Sequence, residues 1–307
     1  MNNINNNSNS INFKDLLKVF WNKKITIILI CTFFLIISST YSLSLADRYK
    51  SEAILAPTSS SSSNLSSMAS KYSGVASLAG ISIPSNNEVN KVDMGVEIIK
   101  SLNFFEDFIN KNDLFLELQA AKGWDSSSNK LIFDSNIYNE AQKKWVSKEK
   151  FSLNGKPSIQ SAHRNFIENL DIFQDPNTNF VTISFEHYSP YVSKKVLDLI
   201  IHDINYKTKN EDIQVAQRTI DFLEKEAAKT QLSSILLAIN NLIEQQIEVI
   251  ALANASPEYL LKKLSDPNVS ELKASPNRML IVLLSLIFGA LVSCSYILLN
   301  YDFKRVR

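Results

Sequence analysis

The sequence has little cysteine: its 307 residues include only Cys31 and Cys294. Both lie inside long apolar runs near the ends of the chain, so residues 46–278 between those runs contain no thiol. This excludes a disulfide framework and a cysteine-ligated metal site from the central region. The central region must therefore be stabilised by packing and by self-association.

Glycine and net charge are low as well. Six glycines in the whole chain argue against the loop-rich scaffolds on which many catalytic sites are built. The formal net charge is +1, whereas nucleic-acid binding needs a concentrated basic face. We therefore expect no nucleic-acid partner.

Motifs for cofactor binding and nucleophilic catalysis are missing too. Residues 155–157, Gly-Lys-Pro, contain the only Gly-Lys pair, and they lack the earlier glycine and the following hydroxyl residue of a phosphate-binding loop. Residues 80–84, Gly-Ile-Ser-Ile-Pro, lack the second glycine of a nucleophile elbow. A packed turn is the better interpretation of that segment.

The titratable side chains form no recognisable site. The three histidines, His163, His187 and His202, have no metal-ligand spacing and no cysteine to join them. His187 ends the clearest predicted strand beside Glu186, which indicates a surface pair. Acidic side chains on predicted helix faces are better explained by solvation than by paired acid–base catalysis. We predict a protein that is not an enzyme and that has no catalytic residue, cofactor or metal.

Two long apolar runs, residues 25–45 and 279–299, are prominent by contrast. Neither contains a charge, and about 21 residues at 1.5 Å each span roughly 31 Å, the thickness of a hydrocarbon core. Both are predicted to be transmembrane helices. The alternative for the first run is a cleaved signal, because residues 44–46, Ser-Leu-Ala, resemble a cleavage site. The run is longer than a typical signal core.

Basic residues next to the two runs predict their orientation. The lysines that precede the first run are Lys14, Lys18, Lys23 and Lys24, and the basic residues around the second are Arg278, Lys304, Arg305 and Arg307. By the positive-inside rule, both termini face the cytoplasm. Residues 46–278 then lie on the far side of the membrane, because long domains are translocated largely regardless of charge.

Small residues recur at intervals of four in both apolar runs. They are Ser285, Gly289 and Ser293 in the second run, and Ser38 and Ser42 in the first. This small-xxx-small pattern lets membrane helices approach closely. Chance placement is the alternative, since serine and glycine are common in membrane helices.

The exported region shows alternating strand and helix signals. Strands are predicted at residues 49–55, 180–185 and 258–264, and helices at residues 92–112 and 158–170, with a short polar helix beginning at 139–145. For residues 114–118 and 130–133, the sequence does not distinguish a helix from a strand. Residues 58–67 are nearly all serine, which is typical of a flexible loop.

A long helical arm is predicted at residues 189–254. Ser189-Pro190 is a favoured helix start, and neither proline nor glycine follows until residue 257. Apolar residues repeat at intervals of three and four, at Ile213, Ala216, Ile220, Leu223 and Ala227, and a second such seam follows. A repeat near 3.5 residues is typical of coiled coils. The change of phase at residues 229–231 predicts a hairpin, with Thr230 as the cap of its second helix.

The predicted fold class is therefore a membrane-anchored α+β protein, in which two transmembrane helices flank a periplasmic α/β base with a long extended helical hairpin arm. We expect a cytoplasmic tail at 1–24, transmembrane helices at 25–45 and 279–299, and a cytoplasmic tail at 300–307. The periplasmic domain, residues 46–278, divides into a base at 46–188 and 258–278 and an arm at 189–254.

Several short segments resemble the Wzz-type polysaccharide co-polymerases, the chain-length determinants of bacterial O-antigen. They are Asp-Leu-Leu at 15–17, Tyr-Lys-Ser-Glu-Ala at 49–53, Val-Ala-Ser-Leu-Ala-Gly-Ile at 75–81, Ser-Phe-Glu-His-Tyr-Ser-Pro at 184–190, Ala-Gln-Arg-Thr-Ile-Asp-Phe-Leu at 216–223, Leu-Ile-Glu-Gln-Gln at 242–246 and Leu-Ala-Asn at 252–254. Ser275, Pro276, Asn277 and Arg278 then lead into the second apolar run in the manner of the family.

The resemblance implies a non-enzymatic inner-membrane protein that sets the length of a lipid-linked polysaccharide, the O-antigen of lipopolysaccharide, made by a separate O-antigen polymerase. It implies ring-shaped homo-oligomers with bases on membrane lipid. The chain ends at Arg307 without a tyrosine-kinase domain, which implies the O-antigen class. The alternative is a membrane adaptor of a capsule or exopolysaccharide export complex that works with a separate tyrosine kinase. We expect Ile213, Ala216, Ile220 and Leu223 to pack the arm.

Overall fold

The structure is a computed structural model that describes residues 21, 23–58, 91–149 and 151–300. Three predicted features lie wholly or mostly outside these residues: the N-terminal tail at 1–24, the serine-rich loop after Thr58, and the packed turn at 80–84. The C-terminal tail after residue 300 does so as well.

The described residues form eight helices and nine strands. The helices are α1 (Lys24–Ser44), α2 (Lys91–Lys100), α3 (Leu102–Lys111), α4 (Phe115–Ala120), α5 (Ile159–Asn169), α6 (Pro190–Ala227), α7 (Ser233–Ala255) and α8 (Arg278–Asn300). The strands are β1 (Arg48–Pro57), β2 (Ala121–Asp125), β3 (Lys130–Phe133), β4 (Tyr138–Asn139), β5 (Lys144–Trp145), β6 (Leu170–Gln174), β7 (Val181–His187), β8 (Leu261–Ser265) and β9 (Lys273–Ser275).

The chain divides into two compact units. Residues 1–47 and 274–307 make one, and residues 48–273 make the other. In the first, α1 and α8 pack against each other. Most of their apolar side chains point outward, as Leu29 and Leu291 do with about two thirds of their surface exposed. Outward-facing apolar surface on helices of this length suits a hydrocarbon environment.

Three helices in the described part of the chain are long and apolar enough to cross a membrane: α1, α7 and α8. α1 and α8 coincide with the predicted runs at 25–45 and 279–299. α7 has the same property by length and composition, which the sequence analysis did not predict. The predicted arrangement, with α1 and α8 as the two membrane spans, is therefore one of those that these three helices allow.

The second unit is built on an antiparallel sheet in the order β6-β7-β1-β8. The central pair is in register, with Ser51 opposite Phe185 and Ala53 opposite Ile183. One face of β1 is buried, since Ser51, Ala53 and Leu55 have no exposed surface. This alternation is what a half-buried strand requires, and it confirms the strands predicted at 49–55 and 180–185.

A hydrophobic core covers one face of this sheet. Its centre is a chain of aromatic rings: Phe105 lies 5.0 Å from Phe166, which lies 5.5 Å from Phe185 on β7. The first third of α6 closes the core with Val196, Leu197, Ile200, Ile201 and Ile204. All five are almost fully buried, so this part of α6 contributes to the core of the second unit.

The prediction of one continuous helix at 92–112 is wrong, because the structure has two helices there, α2 and α3. The chain turns at Ser101, whose backbone is extended and whose hydroxyl accepts a hydrogen bond from the Phe104 amide at 3.2 Å. Serine is a strong N-cap, and it ends one helix by starting the next. The apolar spacing continues across the break, which is why the periodicity did not reveal it.

The polar helix predicted to begin at 139–145 is also wrong. These residues form the hairpin β4–β5, in which Tyr138 pairs with Trp145. The two rings lie 5.2 Å apart, and Trp145 also contacts Phe115 at 5.3 Å. Aromatic packing across strands outweighs the weak helical preference of a polar segment. The two open segments become helix α4 and strand β3, which pairs with β2.

The other predicted elements are close to the observed ones. The helix predicted at 158–170 is α5, with the Ser158 hydroxyl accepting from the Ser161 amide at 3.1 Å as a true cap. The strand predicted at 258–264 begins three residues later, as β8. Residues 258–260 instead carry the turn that brings the chain back to the sheet edge.

The predicted helical hairpin is present. α6 contains 38 residues, about 57 Å at 1.5 Å per residue, and α7 contains 23 residues packed along it. Residues 228–232 make the turn. Thr230 does not cap α7, because Leu232 occupies the N-cap position and the Thr230 hydroxyl lies within the turn, 3.4 Å from the Leu232 amide.

Candidate functional site

The hairpin and the membrane helices carry the residues predicted to matter for function. In the outer half of α6, Ala216, Ile220 and Leu223 are buried while the residues between them are exposed or half-buried. Ile213 is half-buried. α6 packs along α7, and a buried seam of this spacing is typical of such helix pairs.

The rest of the hairpin surface is unusually apolar. Large apolar side chains are exposed along both helices and at their turn, namely Val215, Phe222, Leu232, Ile235, Leu237, Ile247 and Leu252. An apolar surface of this kind marks a site of interaction with protein or lipid. Lys225 and Glu226 lie at the end of α6, where Glu226 pairs with Lys229 at 2.7 Å.

α7 is the least suited of the three candidate membrane helices. It carries Glu244 and Glu248 near its middle, both exposed in the structure. A charged side chain near the centre of a membrane helix costs about 2.5–3.5 kcal/mol on insertion scales. Both glutamates lie on the exposed surface of the helix pair, where water can solvate them.

Asn205 joins α6 to the strand that follows the hairpin. Its side-chain carbonyl accepts hydrogen bonds from the backbone amides of Leu260 and Leu261, at 2.7 and 2.9 Å. Its amide group donates to the carbonyls of Ile201 and Leu261, at 2.9 and 3.0 Å. The side chain is buried and fully satisfied, so it sets where β8 meets α6.

Two further contacts fix α6 to its surroundings. The buried Ser193 hydroxyl donates to the Phe185 carbonyl and accepts from the Ser51 amide at 2.9 Å, which connects α6 with β7 and β1. After the hairpin, the Tyr259 hydroxyl donates to Asp212 at 2.6 Å. Burial, together with the Asp212 carboxylate, raises the pKa of Tyr259. The base of the hairpin is therefore held by polar contacts on both sides.

His187 is not part of the predicted surface pair with Glu186, because its side chain is buried. One ring nitrogen, Nε2, lies 3.0 Å from the Glu117 carbonyl, and the other, Nδ1, accepts from the Ser189 amide at 3.1 Å. These partners suit a neutral ring with its proton on Nε2. Burial lowers the pKa of His187 to about 4.

No metal site is present among the residues that the structure describes, where no group of three His, Cys, Asp or Glu side chains could hold an ion. His163 Nε2 lies 2.8 Å from the Lys100 carbonyl. His202 Nδ1 lies 3.1 Å from Asp203. The two side chains therefore make separate local contacts.

The small residues of α1 and α8 lie at the contact between these helices. The Ser285 hydroxyl donates to the Ser38 hydroxyl at 2.7 Å, and Ser293 has no exposed surface. A Cβ atom added to Gly289 would lie 3.3 Å from the Phe34 Cβ and 3.5 Å from the Cys31 Cα. The helices thus approach closely at Gly289, and a larger side chain there would push them apart.

Replacing Gly289 by leucine is expected to weaken the pairing of α1 and α8, because the added side chain has no space against Phe34 and the Cys31 backbone. In detergent, we expect a smaller particle or a lower thermal midpoint in size-exclusion and melting experiments. Ser295→Leu is the matched control, since Ser295 is exposed on the same helix. Equal behaviour of the two variants would contradict the packing role.

Arg278 begins α8 and is held by the end of α1. Its guanidinium donates to the Asp47 carboxylate at 2.8 Å and to the carbonyls of Ser42 and Leu45 at 3.3 and 3.4 Å. Ser275 ends β9, and Pro276 with Asn277 connects it to α8. The carbonyls at the end of a helix need partners, and an arginine at this position supplies them.

These features define a class of protein: an α+β protein with apolar helices long enough for a membrane and a helical hairpin built on a small antiparallel sheet.

Comparison with known families indicates a more specific relationship. The family model described as "Chain length determinant protein", Wzz, matches residues 9–112, about a third of the chain. The resemblance to Wzz-type polysaccharide co-polymerases predicted from sequence is confirmed by this match, which covers α1, β1, α2 and α3.

Two solved structures are similar to the chain at low identity. A "full-length bacterial polysaccharide co-polymerase" is 13% identical, with 95% of this chain and 100% of that chain covered, at a TM-score of 0.37. A fragment of WzzB, a polysaccharide co-polymerase from Salmonella Typhimurium, is 8% identical, with 75% and 100% covered, at a TM-score of 0.24. None of the curated proteins matches the chain.

Proposed function

We propose that the protein is a non-enzymatic regulator of polysaccharide chain length, and that its polymer is the O-antigen of lipopolysaccharide. The observation that carries this proposal is the match of residues 9–112 to the chain length determinant family. Those residues include the first apolar helix and the strand at the centre of the sheet. On this proposal, the chain acts with a separate polymerase that extends a lipid-linked glycan.

The proposed location is the bacterial inner membrane, with α1 and α8 as spans, both termini cytoplasmic and residues 46–278 in the periplasm. The basic residues around the two apolar runs support this orientation. Reporter fusions after residues 150, 230 and 265 test it. All three are expected outside the cytoplasm. A cytoplasmic reporter at 150 contradicts the orientation, and reporters on opposite sides at 230 and 265 would make α7 a span.

The mechanism we propose is structural rather than chemical. The exposed apolar side chains of the hairpin suit contact with further copies of the chain, because they are too numerous to remain in water. A ring of such copies would bring several polymerase and glycan contacts together in the membrane plane. The family resemblance supports this ring, and chemical crosslinking in membranes tests it.

Deletion of the gene is the direct test of function. We expect the lipopolysaccharide ladder to lose its preferred band lengths while the total amount of polymer is maintained. A ladder that is unchanged would overturn the proposal. The alternative, an adaptor of capsule or exopolysaccharide export that works with a separate kinase, predicts loss of surface capsule and a normal ladder instead.

Placing aspartate at both Ile220 and Leu223 is expected to separate α6 from α7, because each change puts a charge into the buried seam. The lipopolysaccharide bands should then spread over many lengths. The double variant Gln217→Asp with Arg218→Asp is the control, since both positions are exposed on the same helix. If the seam variant keeps the wild-type ladder at normal protein level, hairpin packing has no role in setting length.

A further inference from the structure

A cleft of about 400 Å³ lies between α3 and the middle of α6. It is separate from the buried hairpin seam. α3 contributes Phe104, Asp107 and Lys111, and α6 contributes Tyr206, Asn210 and Gln214. The spacings, three and four residues on α3 and four residues on α6, place these side chains on the two facing surfaces. The volume falls in the range of about 300–1,000 Å³ that small-molecule sites occupy.

The cleft has a rigid floor made by Asp203. Its buried carboxylate accepts hydrogen bonds from Lys111 at 2.6 Å and from Asn112 at 2.9 Å. Burial raises the pKa of Asp203, but the hydrogen bonds from Lys111, Asn112 and His202 outweigh it, so the pKa lies below its usual value. The floor therefore remains ionised and fixed, and it joins α3 to α6.

Aromatic side chains form part of the wall. Phe104 is buried and its ring stacks on Phe108, with 6.0 Å between centroids. Tyr206 is 53% exposed, and its ring lies almost parallel to that of His202 and 5.1 Å from the Lys111 ammonium. A half-exposed tyrosine held in this way offers an apolar ring and a hydroxyl to the same ligand.

The remaining polar groups of the cleft can bind a ligand. The side chains of Asp107, Asn210 and Gln214 make no hydrogen bond to any residue that the structure describes. The charges nearly cancel, because Lys111 pairs with Asp203 and Lys207 pairs with Glu211 at 3.2 Å. The Asp107 carboxylate forms no ion pair with a described residue, so it adds one negative charge to the cleft. This balance disfavours a phosphate or another anion, which would face uncompensated negative charge.

We propose that this cleft binds a sugar unit of an uncharged glycan. A sugar ring has apolar C–H faces that suit Tyr206, and hydroxyl groups around its edge that suit the carboxylate of Asp107 and the two amides. An entirely apolar ligand would leave those polar groups without partners. This inference rests on the proposed function, because it takes the polysaccharide under regulation as the ligand.

Ligand-observed saturation-transfer NMR on the full chain in lipid nanodiscs tests the proposal. The probes are methyl glycosides of glucose, galactose, rhamnose and N-acetylglucosamine, and short oligosaccharides released from the host's own surface glycan. We expect signal from at least one neutral probe. Tyr206→Ala and Asn210→Ala should each weaken binding by about tenfold, whereas Tyr206→Phe should retain most of it.

Tyr191→Ala is the matched control, because Tyr191 is a half-exposed tyrosine on the same helix outside the cleft. Binding that is equal in Tyr206→Ala, Tyr191→Ala and wild type overturns the assignment to this cleft. No signal from any probe overturns sugar binding altogether, whatever the gene deletion does to the ladder. Cleft-dependent binding with an unchanged ladder after deletion supports the cleft and instead contradicts the proposed function.

Discussion

Replacing Asn205 by leucine is expected to lower the free energy of unfolding of the α+β unit by about 3–5 kcal/mol. The substitution removes four hydrogen bonds and leaves the amides of Leu260 and Leu261 without their side-chain acceptor. Each buried group left without a partner costs about 1–3 kcal/mol. For a unit of this size, the thermal midpoint should fall by roughly 10 °C, measured by circular dichroism on the full chain in detergent.

Asn210→Leu is the control for this experiment. Asn210 lies five residues further along α6 and makes no side-chain hydrogen bond to a described residue, so its replacement should change the midpoint little. If Asn205→Leu unfolds within about 1 kcal/mol of wild type, the α6–β8 connection does not depend on this side chain. Apolar packing of Leu260 and Leu261 would then be sufficient to hold the strand.

Acidification between pH 6.5 and pH 4 is expected to remove roughly 3 kcal/mol of stability through His187 alone. Burial lowers the pKa of this histidine to about 4 in the folded protein, whereas the unfolded chain binds its proton near the ordinary value of 6.5. In that window the unfolded state binds more protons, so stability rises with pH. The contribution is complete above pH 6.5 and is lost as the pH falls to about 4.

The measurement is the free energy of unfolding at several pH values, compared between wild type and His187→Gln. The variant is expected to be less stable at pH 7 and to show a flatter profile between pH 4 and 6.5. His163→Gln, at the Lys100 carbonyl, serves as the control. Asp203, whose pKa is also lowered, loses its contribution only at lower pH, below its ordinary value. Parallel profiles for wild type and His187→Gln would contradict a neutral buried ring.

The burial and the distant hydrogen-bond partners of Asn205 and His187 could not be predicted from the sequence. Asn205 lies within a helix whose periodicity is fully visible, and nothing nearby indicates that its partners are more than fifty residues away. His187 was predicted at the surface because its neighbour Glu186 is charged. Its burial depends on the Glu117 carbonyl, 70 residues earlier in the chain. Both are consequences of non-local packing.

Local patterns, by contrast, were sufficient for the main elements. The run of β-branched residues at 181–183 predicts β7, and the uninterrupted helical stretch after Ser189-Pro190 predicts α6 with its turn. Periodicity failed where a polar residue or aromatic pair competed with it. The Ser101 cap starts a second helix within one continuous apolar stripe. Pairing of Trp145 with Tyr138 makes a polar segment a strand.

The sequence by itself determined that the protein has long apolar helices, a sheet, a hairpin of seamed helices and a family resemblance, because each depends on spacing or composition within one segment. Only the tertiary structure decided which polar side chains are buried and what they bind. It also brought α3 against α6 to make a cleft. The two helix faces are separated by some ninety residues, and they meet through the hydrogen bonds of Lys111 and Asn112 to Asp203 and through the core beneath them.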